Sequence, residues 1–270
     1  MPQPTLPPTL AVLERGWLSA NSVVGFEADG SATVVDTGYV QHAPQTVALL
    51  AELLQGRALR RIVNTHLHSD HCGGNAALQA AHGGPQACAI EVPAGELDAV
   101  NAWDEDALSF RATAQRAAAF RAARGIAAGS TVLLGARPWQ AHAAPGHDPH
   151  ALMLFDPASG VLISGDALWQ DGFGVIFPEL RGEPAFGAQR DTLQRIAALR
   201  PRCVIPGHGA AFSDVDAALR QWFADAPLLA EVARRFWPQQ TLPALFDDTL
   251  DALCRAGAAR DDGHSVANAG

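Results

Sequence analysis

Thr65-His66-Leu67-His68-Ser69-Asp70-His71-Cys72-Gly73-Gly74 places three imidazoles and a carboxylate within the six positions 66–71. In extended backbone, residues two apart face the same side, so His66 and His68 can converge on one point. A turn then carries Asp70 and His71 round to a second point nearby. Two adjacent metal positions follow. Imidazole with carboxylate suits zinc and also accepts iron or manganese. Gly73 and Gly74 are expected to allow a tight turn into the next helix.

Outward from this cluster, Arg60 to Thr65 forms a β-rich run, which puts the histidines at the C-terminal end of a strand. Upstream, 9–14, 22–28 and 32–36 read as strands, the last two joined by the hairpin signal Asp29-Gly30. Val47, Leu50, Leu53 and Leu54 recur at helical spacing before Gly56. Downstream, a helix is expected over 74–82 and a strand over 86–91. An Ala-rich helical stretch follows at 94–124, within an insertion spanning 92–130 that could serve as a lid. Strand-like runs come next at 131–134, 138–144, 150–156 and 160–165, with Pro157 to Gly160 as the turn between the last two. A helical pattern covers 184–199, a short buried strand 202–205, and a mainly helical region 214–256, interrupted at Pro227, Pro238 and Pro243. The order predicts an α/β chain of packed sheets with helices outside, a single domain over 1–257 and a frayed tail over 258–270.

A chain of 270 residues with 48% apolar side chains can bury one large core. A net charge of −9 leaves no basic stripe to neutralise phosphates, which argues against a nucleic-acid partner and for a small-molecule substrate. The chain contains no lysine, so Schiff-base chemistry and a P-loop lysine are excluded. MPQPTLPPTL has neither a basic nor an apolar leader pattern, and no run approaches the roughly 20 apolar residues of a membrane span. A soluble, cytoplasmic protein without a membrane partner is expected, with no reading of its oligomeric state. Cys72, Cys88, Cys203 and Cys254 lack CxxC spacing and read as reduced structural thiols. Cys72, next along the chain from His71, is expected to point away from the metals.

Three further candidate ligands follow glycine in turn-like settings: His147 in Ala-Pro-Gly-His-Asp-Pro, Asp166 in Ser-Gly-Asp-Ala-Leu and His208 in Ile-Pro-Gly-His-Gly. The whole set resembles the metallo-β-lactamase superfamily, with its HxHxDH signature and separated His, Asp and His, over about Val34 to His208. The resemblance implies a four-layer αββα sandwich with metals at one edge of two sheets. It assigns His66, His68 and His147 to one metal and Asp70, His71 and His208 to a second, with Asp166 as the bridge. It also places Asp36, in Val35-Asp36-Thr37-Gly38, beside the site in a supporting role.

Two zinc ions on such a frame would hold a hydroxide that attacks the substrate, with Asp70 orienting it as the catalytic carboxylate. The superfamily includes β-lactamases, glyoxalase II-like thioesterases, lactonases, phosphodiesterases and iron-dependent sulfur-compound oxygenases, and the fold does not select among them. The expected activity is hydrolysis of a small thioester, ester or lactone, with the iron oxygenase as the alternative. The C-terminal cations Arg220, Arg234, Arg235 and Arg255 do not single out a glutathione thioester. Ala167-Leu168-Trp169 stands where related lactonases carry a tyrosine. His150 departs from the related motif and is expected to face a neighbouring carboxylate. Trp103, Phe110, Trp169, Phe173 and Phe177 are expected to pack in the core, with the aromatic run after Asp166 lying where the resemblance implies a pocket wall, and Asp104-Glu105-Asp106 is expected to be a solvated helix end.

Overall fold

A computed structural model describes residues 5–16, 18–171, 174–180 and 182–222. In chain order the elements are β1 (Leu10–Leu13), β2 (Ser22–Phe26), β3 (Ala32–Val35), α1 (Ala43–Leu54), β4 (Leu59–Val63), α2 (Ser69–Cys72), α3 (Asn75–Ala81), β5 (Ala89–Pro93) and α4 (Leu97–Ala102). They continue with β6 (Arg124–Ile126), β7 (Thr131–Leu134), β8 (Arg137–Ala143), β9 (Leu152–Asp156), β10 (Val161–Gly165), α5 (Phe177–Leu180), α6 (Phe186–Leu199) and β11 (Cys203–Pro206).

One sheet runs β1-β2-β3-β4-β5-β6 and the other β11-β10-β9-β8-β7. The β2–β3 pair is the antiparallel hairpin expected around Asp29-Gly30, whereas β3–β4, β4–β5 and β5–β6 are parallel. Successive residues of a strand face opposite sides, and here both sides are apolar. Val23, Val35 and Val63 meet Trp139, Leu154, Ile163 and Ile205 between the sheets. Their neighbours Val24, Val34 and Ile62 pack outward against Leu50 and Leu54 of α1 and Leu78 of α3. On the far side Met153, Leu162 and Val204 cover Leu193 and Ile196 of α6. Strands buried on both faces read as continuous apolar runs, and they give the four-layer αββα sandwich.

The topology decides where the site forms. Strands β3, β4, β8, β10 and β11 lead at their C-terminal ends into Asp36, the His66–His71 segment, His147, Asp166 and His208 respectively.

The long helix expected over 94–124 is not there. A 3₁₀ turn, Ala94–Glu96, leads into α4, which stops at Trp103 with φ +51°, and the chain continues in turns to β6. Tertiary contacts override the alanine propensity. Trp103 packs edge-on against Phe110 and Phe120, and the Asn101 side chain bonds the backbone of Ala122 at both N–H and carbonyl. The region expected to be helical over 214–256 is helical from 215 to 222, and its remainder, with the tail 258–270, lies outside the described residues.

Gly73 and Gly74 serve the turn, but not for the reason expected. Neither has positive φ. A β-carbon on Gly73 would fall 2.3 Å from the Val40 nitrogen, and one on Gly74 would fall 2.4 Å from the Thr37 carbonyl oxygen. The glycines let the ligand-bearing segment press against the loop that follows β3. Gly74→Ala should therefore cost about 1–3 kcal/mol through overpacking. A thermal melt of the variant should show a midpoint several degrees lower, and an unchanged midpoint would contradict this packing.

Candidate metal centre

The short helix α2 begins immediately after His68, which is still extended (φ −63°, ψ 148°). His68 therefore lies on extended backbone while Asp70 and His71 lie on the first helical turn, and the donors diverge to two neighbouring points. His68 Nδ1 is 3.0 Å from His66 Nε2 and 2.7 Å from His147 Nε2, so three imidazole nitrogens face one spot. At the second spot Asp70 Oδ2 lies 3.0 Å from His208 Nε2 and 3.8 Å from His71 Nε2. Within each set, one donor atom per residue lies within 4.8 Å of all the others.

Asp166 faces both sets. Its Oδ1 is 3.2 Å from His71 Nε2, and its Oδ2 is 3.4 Å from His147 Nε2 and 3.7 Å from His208 Nε2. All seven ligand positions read from the sequence are thus brought together. The glycine before His208 has a steric reason: a β-carbon on Gly207 would be 2.1 Å from Asp166 Oδ1 and 2.8 Å from His71 Cε1. The glycines before His147 and Asp166 have positive φ, +144° and +51°.

The outward nitrogens of the ligand histidines are held by other groups. His71 Nδ1 donates to Asp36 Oδ2 at 2.8 Å, and Asp36 also accepts from the Thr65 N–H and hydroxyl. With the Thr65 hydroxyl proton committed to Asp36, His66 Nδ1 donates to Thr65 Oγ1 at 3.1 Å. His147 Nδ1 donates to the Val175 carbonyl at 2.6 Å. His68 turns its Nε2 toward Asp148 Oδ2 at 3.9 Å. Such partners fix which nitrogen faces the cation and raise its basicity. Asp36 holds φ +57°, a strained backbone for a residue with a side chain, at the point where four groups depend on its carboxylate.

The donor set fits divalent metal ions. His71 Nε2 is fully buried without a hydrogen bond, directed at two carboxylates. Burial lowers the proton affinity of His66, His68 and His147, which keeps the first set neutral and ready to coordinate. The second set differs. Burial opposes charge on His71, but Asp166, Asp36 and Asp70 outweigh it and push the imidazole well above its ordinary value. His208 is raised by Asp166 and Asp70 against the same opposing burial. Burial would raise Asp70, yet His71 and His208 bring it down to about 2, and Asp166 is likewise held well below the carboxylate range. The carboxylates around His71 and His208 thus favour positive charge at the second set, the charge a cation would supply.

Several neighbours escaped the sequence reading. Gln115 Oε1 accepts the Ser69 N–H at 2.6 Å, closing the start of α2 from 46 residues away in the chain. No local pattern announces such a contact. Trp169 and Phe177, expected as core residues, lie against ligands: Trp169 is 5.1 Å from the His208 ring, and Phe177 is 4.5 Å from His68 and 5.4 Å from His147. Trp103 and Phe110 do pack in the core, and Phe173 lies outside the described residues. The His150 ring packs on Gly95, and it is the backbone N–H of His150, not the ring, that bonds Asp148, at 2.7 Å. Cys72 points away as expected, its thiol donating to the Leu67 carbonyl and pushed up by burial. Cys88 and Cys203 are also free thiols, and Cys254 lies outside the described residues.

Metal binding competes with protons more strongly at the second set, where His71 and His208 are raised, than at the first, where burial lowers all three imidazoles. Affinity for the second ion should rise by up to about tenfold per pH unit for each proton displaced. Affinity for the first should change much less. Competitive zinc titrations at pH 6, 7 and 8 would show this, and parallel pH dependences for the two ions would contradict it. Gly207→Ala should lose the second ion while keeping the first, as read by metal content after gel filtration.

Comparison with known proteins agrees with this geometry. Residues 15–208 match the family model described as the metallo-β-lactamase superfamily. A hydroxyacylglutathione hydrolase from Rhodobacter capsulatus is 32% identical over 178 residues, 65% of this chain and 59% of that relative. One from Rhodospirillum rubrum is 27% identical over 89% of this chain and 84% of its own length. The crystal structure of a metallo-β-lactamase family protein from Thermus thermophilus superposes with a TM-score of 0.66 at 20% identity, covering 84% of this chain and 82% of that one. Matched from Arg15 to His208, the chain belongs to the metallo-β-lactamase superfamily.

Proposed function

We propose that this chain is a dinuclear metallohydrolase, with zinc as its metal, that cleaves a small thioester, ester or lactone. The observation that carries the reading is Asp166, whose carboxylate lies within 3.7 Å of histidines of both donor sets. A carboxylate so placed could serve two cations at once. His66, His68 and His147 would hold the first ion and Asp70, His71 and His208 the second. Two such ions, when bound, would supply a hydroxide at neutral pH and polarise the carbonyl under attack.

The rest of the chemistry falls to the chain's own groups. Asp70 is the ligand carboxylate open to solvent, its side chain 25% exposed against 5% for Asp166. It can orient the attacking water, while Asp166 keeps the two sets in register. Asp36 and Val175 hold His71 and His147 by their outer nitrogens, so these imidazoles need no reorganisation when substrate arrives. The names of the relatives in Rhodobacter capsulatus and Rhodospirillum rubrum support hydrolysis of a thioester. The net charge of −9 and the absence of lysine support a small-molecule substrate over a nucleic acid.

Purified protein should contain two zinc ions per chain and hydrolyse at least one member of a thioester, ester and lactone panel. Asp70→Ala should lower kcat by about 10²–10³-fold, the range for losing one group that positions charge at the reacting atoms. Bound iron, with oxygen consumption and no hydrolysis, would establish the oxygenase alternative instead.

A further inference from the structure

We infer that Asn21 is a positioning residue of the second donor set: it fixes the backbone around His208 while its neighbour Ala20 fixes that of Asp70, so the second ion is held in place from the β1–β2 connection. The inference rests on the two-ion part of the reading above and adds no ligand to it.

Asp70 and His208 are the ligands that packing encloses least. Their side chains are 25% and 20% exposed, whereas the other five ligands are buried. His208 also stands between Gly207 and Gly209, the latter at φ +84°. Glycine leaves the backbone more freedom than any other residue, so the place of His208 has to be set from outside its own loop.

Asn21, 3% exposed and the last residue before β2, supplies that restraint. Its backbone N–H donates to the Gly207 carbonyl at 2.7 Å. Its side-chain Nδ2 donates to the carbonyls of Pro206 at 3.0 Å and Gly209 at 2.7 Å. Three bonds from one residue thus bracket His208 on both sides. The Oδ1 of the same carboxamide accepts the Arg15 N–H at 2.9 Å, which fixes the end that faces the His208 loop. One residue earlier, the Ala20 N–H donates to the Asp70 carbonyl at 2.9 Å.

The connection is itself anchored away from the site. Arg15 donates through Nη1 to Thr46 Oγ1 at 2.8 Å and through Nη2 to Gln45 Oε1 at 3.0 Å, both on α1. Ser19 Oγ accepts the Tyr39 N–H at 3.1 Å and lies 2.8 Å from His42 Nδ1. A ligand of the first set is tied to a different element. Gln189 of α6 accepts the His147 N–H at 3.2 Å and donates to the Ala167 carbonyl at 2.8 Å. Separate anchors allow the two sets to be loosened separately.

The test compares zinc-loaded Asn21→Ala with the parent full chain. Losing a group that orients a ligand costs about 10–100-fold in metal affinity. Binding of the second zinc should weaken by that factor with the first unchanged. In crystals, the anomalous zinc peak among Asp70, His71 and His208 should fade while the one among His66, His68 and His147 stays. Val132→Ala, a core change in β7, should lower the melting midpoint and keep both ions, which separates positioning from general loosening. Should Asn21→Ala fail to fold, the parent protein decides the matter. By linkage, filling the second site should slow hydrogen exchange of the Ala20 and Asn21 amides, by up to about 100-fold at zinc a hundred times above its dissociation constant, and filling the first alone should not. Both ions retained by Asn21→Ala, equal weakening of the two, loss of the second ion from Val132→Ala as well, or exchange indifferent to the second ion overturns the inference and leaves the two-ion reading standing. A parent protein that binds a single zinc overturns both.

Discussion

Burial of charge at one edge of the sandwich is the constraint on which the rest of this molecule depends. Asp166, His66, His68, His71 and His147 are all nearly inaccessible to water, and Asp36 is buried beneath them. Removing an ionised carboxylate from water costs several kcal/mol unless a partner compensates. At the second donor set the carboxylates raise His71 and His208 toward the charged form, whereas burial disfavours charge on the three imidazoles of the first set. The two sets are therefore chemically unequal although they share a bridge. One is a preformed neutral cradle and the other a site where cation and proton compete.

The fold supplies what such a site needs, which is rigidity at several distant points of the chain. Each ligand follows the end of a strand packed into the cores, so its backbone is fixed by contacts that the site does not disturb. Loops then carry the donors inward, and Asp36 gathers Thr65, Asn64 and His71 around one carboxylate. The strain in the Asp36 backbone is tolerable because so many groups hold it. Gln115 adds a tether from the turn-rich segment after α4 to the start of α2.

How much of this is legible in the sequence depends on whether a contact is local. His66 through His71 announce themselves because the change from strand to helix inside the motif splits four donors between two points. His147, Asp166 and His208 are legible through the glycines before them, and Gly207 shows why: no other residue leaves room for Asp166. The strands at 22–28, 32–36, 131–134 and 160–165 are found close to where they occur, since their apolar runs are short and bounded by turn residues. The segment 94–124 misleads because alanine content reports helix propensity, whereas Trp103, Phe110 and Phe120 are held by packing that is visible only in three dimensions. Gln115 and Asp148 are invisible for the same reason. Each acts on a residue distant in the chain or through a face that sequence cannot orient.

The central claim is that the two donor sets hold two ions joined by Asp166. Anomalous diffraction at the zinc edge from crystals of the zinc-loaded protein tests it most directly. Two peaks roughly 3.5–4 Å apart are expected, one among His66, His68 and His147 and one among Asp70, His71 and His208, with a different oxygen of Asp166 on each. A single peak, or two peaks with Asp166 bound to only one, would contradict it.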